Sequence, residues 1–156
     1  MSRRLVDLIE KNADELTQLL VKRLKEHRTT IGLRKYDDME LGRRAHDLYQ
    51  HLGYWLRAAN ESAVEEAFTK FGGDERKHGV ALSDLAGALL LTRRILWEFV
   101  EWQAGDSVLD LRQEIELQIL VMRFFDRAVY WTVRGYETAQ AEEAAASAGS
   151  KALARH

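Results

Sequence analysis

The chain has 156 residues, 46% hydrophobic and 31% charged, which describes one soluble globular domain with an apolar core and not a disordered segment. A net charge of −2 lacks the basic excess that a nucleic-acid binder uses to displace counterions, and the absence of cysteine excludes disulfides, thiol catalysis and zinc–thiolate sites. Proline is also absent, while Leu, Ala, Glu and Arg are abundant, which points to helices with little else.

The first helix is expected from Arg3 to His27, because Leu5, Leu8, Ile9, Leu16, Leu19, Leu20 and Leu24 recur at three- and four-residue steps. Asp7, Glu10 and Asp14 interrupt any signal-peptide run there. "TTIG" breaks the pattern, and Asp37 or Asp38 caps a second helix that ends at Asn60 with Ala45, Leu48, Leu52, Leu56 and Ala59 facing inward. "SAVE" reads as a capping box of Ser62 and Glu65, opening a third helix that runs to Gly72 or His78. Ser83 caps the fourth helix, which reaches Ala104 and is apolar on most of its circumference, as a helix in the middle of a bundle is. Its "VALSDLAGALLL" is interrupted by Asp84 and followed by Arg93 and Arg94, too short and polar to cross a membrane. The last helix starts near Val108 and continues past Glu137. Its apolar arc runs through Ile115, Ile119, Met122, Phe125, Val129 and Val133, widened by Leu120, Phe124, Ala128 and Trp131. Residues 138–156 are alanine-rich and read as a frayed, exposed extension to about Ser147, loosened at Gly149, so residues 1–137 are the expected domain. The reading is all-α, about five helices in a bundle. Two helices with such wide apolar arcs have surplus apolar surface, which a homodimer would cover.

No nucleophile–base set, phosphate loop or metalloprotease signature is present, so no enzyme is expected. "FFDRAVYWTVRGYE" places Asp126 at the border of the apolar arc, and Arg93 occupies the matching border of the fourth helix. A structural ion pair between them is expected. Glu75 and His78 have the E-x-x-H spacing of di-iron bundles, but such a site needs two of these motifs, so no metal is expected. His51, near Leu48 and Trp55, is the histidine best placed to hold a cofactor such as haem, but a satisfied surface or border histidine is the favoured reading; no cofactor is assigned. Trp55, Trp97, Trp131 and Tyr136 are candidates for a pocket or an interface. Gly73 and Gly79 flank "DERKH", where the chain has to turn, and Gly87 and Gly135 lie within helices, where glycine permits close backbone approach.

The segment "FGGDERKHGVALSDLAGALLLTRRILWEFVEW" resembles the RsbRD N-terminal domain family through Gly73, Arg76, Gly79, Leu82, Arg93 or Arg94, Leu96 and Trp97. "FFDRAVYWTVRGYE" is similar to the family's last helix through Phe125, Asp126, Arg127, Ala128, Gly135, Tyr136 and Glu137, and "LIEKNADELTQLLVKRL" to its first. The resemblance implies a globin-like or bundle input domain of bacterial cytoplasmic signalling, free of haem and prone to dimerise. Its implied outputs are a STAS domain, a histidine kinase or a transcription regulator. With no output domain after Glu137, either a stand-alone member or an input module acting through a partner protein is expected. The reading is therefore a non-enzymatic regulatory domain working through helix contacts, with no direct binding of nucleic acid and no membrane insertion. The alternative is a sensor that binds haem or a small apolar ligand.

Overall fold

The computed structural model describes residues 3–103 and 108–155. Among these residues every regular element is a helix: seven α-helices and two 3-10 segments, more than the about five helices expected. The surplus comes from two breaks. The first expected helix is split into α1 (Arg3–Lys11) and α2 (Ala13–Glu26). Asn12 between them leaves helical geometry at φ −104 and ψ 19, and its side-chain amide donates to the Leu8 carbonyl at 2.7 Å. A short amide side chain that bonds nearby backbone competes with the helix ladder.

"TTIG" lies in a 3-10 segment, Arg28–Lys35, that buries Thr30 and Leu33. The Thr30 hydroxyl donates to the Leu24 carbonyl at 2.8 Å, tying the segment to the end of α2. α3 (Asp38–Gln50) starts at Asp37, whose carboxylate accepts from the Glu40 amide at 2.9 Å. The expected continuous helix to Asn60 instead breaks at His51, at φ −119 and ψ 33. A short α4 (Leu52–Trp55) and a 3-10 turn (Ala58–Asn60) follow. The break is fixed from outside: the Gly53 amide donates to the Glu10 carboxylate of α1 at 2.9 Å, and Leu52 is fully buried.

α5 (Glu61–Lys77) begins directly after Asn60 with no side-chain cap, so Ser62 lies inside the helix and the expected capping box does not form. α5 also passes through Gly72 and Gly73 without stopping. The turn comes at Gly79, with φ +78, a conformation that glycine adopts without a Cβ penalty. α6 (Leu82–Trp102) follows Ala81, again with no side-chain cap, and Ser83 is within the helix instead of at its cap. Ala104 lies outside the described residues. α7 (Val108–Ala154) is one helix of 47 residues, about 70 Å long. It does not loosen at Gly149, although every residue from Gln140 to Arg155 is exposed.

α6 crosses the middle of the fold, against α2, the first 3-10 segment and α7. Its buried Ile95, Leu96 and Val100 meet Ile9, Leu20, Tyr49, Leu52 and Phe125 in one core. α7 docks chiefly on α5. Its buried stripe is Leu117, Val121, Phe124, Phe125, Ala128, Thr132, Gly135 and Tyr136. The arc expected to face the core is split: Phe124, Phe125 and Ala128 are buried, while Ile115, Ile119 and Met122 are turned away, 47%, 40% and 49% exposed.

Candidate functional site

Two regions of the fold have side chains left over from its own packing. The first is the outer face formed by α6 and α7. Leu90 on α6 is 46% exposed, close to the values of Ile115, Ile119 and Met122 on α7. On α7, residues 108, 111, 115, 119, 122, 126 and 130 fall along one flank at helical spacing, all exposed. A groove of about 450 Å³ runs between the helices, lined by Leu90, Arg93, Trp97, Gln118 and Met122 among others. Trp97 is half-buried in its wall.

The ion pair expected between Arg93 and Asp126 does not form. Neither residue takes part in a salt bridge among the described residues, and Asp126 is exposed. The sequence placed Asp126 at the border of a buried arc, but that flank of α7 is the one facing outward. The carboxylate has no burial to offset, so it needs no partner within the chain.

The second region is an apolar cavity of about 420 Å³ between α2, α3, α5 and α6, with Trp55 in its wall. Trp55 stands half-buried against Phe68, ring centroids 6.0 Å apart, and Phe68 stands against Phe124 at 5.6 Å. The indole Nε1 of Trp55 is buried with no hydrogen-bond partner. No histidine lines this cavity. His51 is exposed at the end of α3, its ring 3.9 Å from the Asp47 carboxylate, so it does not face the cavity as a haem ligand would. A larger groove between α2 and α3, about 870 Å³, is crossed by polar pairs, including His46 on Asp14 at 2.6 Å and Lys25 on Asp38. Glu75, partly buried in the last turns of α5, and the exposed His78 at its C-cap lie 4.0 Å apart, and no cluster of three metal-ligating side chains occurs among the described residues.

The remaining candidates are structural. Tyr136 lines neither region: it is buried, and its hydroxyl donates to the Val80 carbonyl at 2.8 Å while accepting from Arg76 at 3.5 Å. Trp131 is half-buried, edge-on to Tyr130 at 5.0 Å. The four glycines divide by role. Gly79 makes the turn, and a Cβ on Gly73 would sit 3.6 Å from the Gly135 carbonyl. A Cβ on Gly87 would meet the Thr30 methyl at 2.8 Å, so that glycine lets the 3-10 segment lie on α6. Gly135 sits against the α5 backbone. Gly72, one of the two expected ends of the third helix, lies inside α5 against the α7 backbone at Thr132 and Tyr136; the signal for this was the doubled glycine at 72 and 73 in a helix facing another glycine-bearing helix.

Residues 13–149 match the family model described as the RsbT co-antagonist protein rsbRD N-terminal domain. The chain belongs to this family. No curated protein and no solved structure matches it. The match runs past Glu137 into the exposed part of α7, so the family pattern extends along the projecting helix. The rsbRD N-terminal domain is a stressosome-type signalling input domain, which gives this chain a regulatory role. No helix among its described residues is long and apolar enough to cross a membrane.

Proposed function

We propose that this rsbRD N-terminal domain is a non-enzymatic, cytoplasmic input module that works as a homodimer through its α6–α7 face. The observation that carries the reading is the exposed set of Leu90, Ile115, Ile119 and Met122 on two adjacent helices. Contiguous apolar surface rimmed by charge marks protein contact sites. A self-complementary patch covers itself by a two-fold contact, and a stable one buries about 1,600 Å² in total. Arg93 and Asp126 stand on this same face, and neither has an ion pair among the described residues. In the dimer they pair between copies. A change in helix packing would pass along α7, whose residues 140–154 project from the body as exposed helix. The partner that reads it is a STAS, kinase or transcription-regulator protein.

Sedimentation velocity tests the reading. The wild-type domain is expected to sediment as a dimer and Ile119→Asp as a folded monomer. Asp126→Arg weakens the dimer, and adding Arg93→Asp restores it. A wild-type monomer at high micromolar concentration overturns the proposal.

A further inference from the structure

The cavity between α2, α3, α5 and α6 is distinct from the α6–α7 face, and three charged residues of α3, Arg43, Arg44 and Asp47, belong to its lining. The rest of the lining is mostly apolar, including Leu48 from α3, Phe68 and Phe71 from α5 and Ala88 from α6. The volume of about 420 Å³ lies within the range of small-molecule sites, and at about 30 Å³ per water-sized group it holds a ligand of roughly 14 non-hydrogen atoms.

Arg44 stands at the opening, its guanidinium 4.3 Å above the Phe71 ring. No carboxylate lies within 4.0 Å of it among the described residues. The nearby acids have other partners: Asp74 accepts from Lys70 at 2.8 Å, Asp47 lies 3.9 Å from His51, and Glu75 lies 4.0 Å from His78. The hydrogen bond from Lys70 holds the Asp74 carboxyl below its usual range. Partial burial lowers the Arg44 pKa despite those acids, although the residue keeps an exposed side, and the contact its guanidinium makes is with the Phe71 ring and not with a carboxylate. An arginine remains charged in such a place, and a planar carboxylate is the group its paired N–H donors fit.

We propose that this cavity binds a small amphipathic carboxylate, with its hydrocarbon body among Leu48, Phe68, Phe71 and Ala88 and its carboxylate on the Arg44 guanidinium. The apolar wall selects against sugars and nucleotides, which would leave polar groups without partners there. The arginine selects an acid over an alcohol of the same length. Ligand entry fills space between α3, α5 and α6, so the bound and empty states differ in how these helices pack.

Isothermal titration calorimetry with decanoate below its micelle concentration tests this, with 1-decanol as the neutral counterpart. Wild type is expected to bind one decanoate per chain with saturation and to bind decanol at least tenfold more weakly. Arg44→Gln is expected to lose at least tenfold in decanoate affinity and little in decanol affinity. Ala88→Phe, which fills the cavity, is expected to abolish both. Ala67→Phe, also in the wall, replaces it if Ala88→Phe does not give a wild-type circular dichroism spectrum. Absence of saturable decanoate binding overturns the proposal. So does equal binding of acid and alcohol, or decanoate binding that survives in a folded cavity-filling variant.

Discussion

Gly72 and Gly135 bring the backbones of α5 and α7 into direct contact. A Cβ on Gly72 would lie 1.9 Å from the Thr132 carbonyl oxygen, and a Cβ on Gly135 would lie 2.0 Å from that of Thr69. The atoms they would strike are backbone, which cannot rotate away as a side chain can. The two glycines therefore set how closely the long last helix docks on the body.

Gly72→Ala and Gly135→Ala are each expected to destabilise the fold by about 3 kcal/mol or more, because an added methyl group in a closed contact forces the helices apart. Gly149→Ala is the internal control. It lies in exposed helix with nothing within 4 Å of an added Cβ. That change is expected to be neutral or to stabilise by up to about 1 kcal/mol through helix propensity. Urea unfolding of the three variants separates steric contact from propensity.

Gly79→Ala tests backbone conformation alone. An added Cβ has nothing within 4 Å, yet φ is +78. The expected cost is about 1–2 kcal/mol, the penalty of left-handed backbone for an L-residue. Gly79→Asn is expected to cost less, since asparagine tolerates this region. Equal stability of Gly79→Ala and wild type in a melting experiment would contradict the positive φ.

Tyr136 ties three elements together through its hydroxyl: α7 carries it, Val80 before α6 accepts from it, and Arg76 of α5 donates to it. Arg76 also pairs with Glu143 at 2.9 Å, one to two turns further along α7. Tyr136→Phe keeps the ring and removes the hydroxyl, leaving a buried carbonyl without its partner. The expected loss is about 1–3 kcal/mol. Glu143→Gln, which touches only the surface pair, is expected to cost under about 1 kcal/mol. Amide hydrogen exchange in residues 76–82 should rise in the first variant and not in the second.

Tyr49 predicts an alkaline limit to stability. It is fully buried, with its hydroxyl donating to the Thr92 carbonyl at 2.9 Å, and burial pushes its pKa well above the ordinary tyrosine value. The unfolded chain therefore releases this proton first. The stability contributed by the neutral phenol is fully present below about pH 10, the unfolded value, and is lost as pH rises beyond it, by up to about 1.4 kcal/mol per pH unit. Tyr49→Phe is expected to be less stable at pH 7 and to fall less steeply between pH 10 and 11.5. Urea midpoints across that window for both proteins check the sign.

Composition and apolar spacing were enough to establish an all-helical chain, a cap at Asp37 or Asp38 and the approximate positions of α5, α6 and α7. These are short-range properties: a cap and a helical face are written within a few residues of each other. The breaks at Asn12 and His51 were not legible. At His51 the deciding contact is Gly53 on Glu10, forty-three residues away in sequence. The unformed capping box at Ser62 and the unformed cap at Ser83 have the same cause, since each helix begins where the preceding turn delivers the chain.

The sequence by itself determined that α7 has more apolar circumference than one neighbour can cover, and that glycines occur where helices meet. Only the tertiary structure decided which arc of α7 is buried. Phe124, Phe125, Ala128 and Tyr136 face α5 and the core, while Ile115, Ile119 and Met122 face out. Periodicity shows that residues share a face but not which of two greasy faces meets a partner. That choice rests on the closest approach available, which the backbones at Gly72 and Gly135 supply. The same choice leaves Asp126 exposed and unites Arg44, Phe71 and Ala88, from three helices, around one cavity.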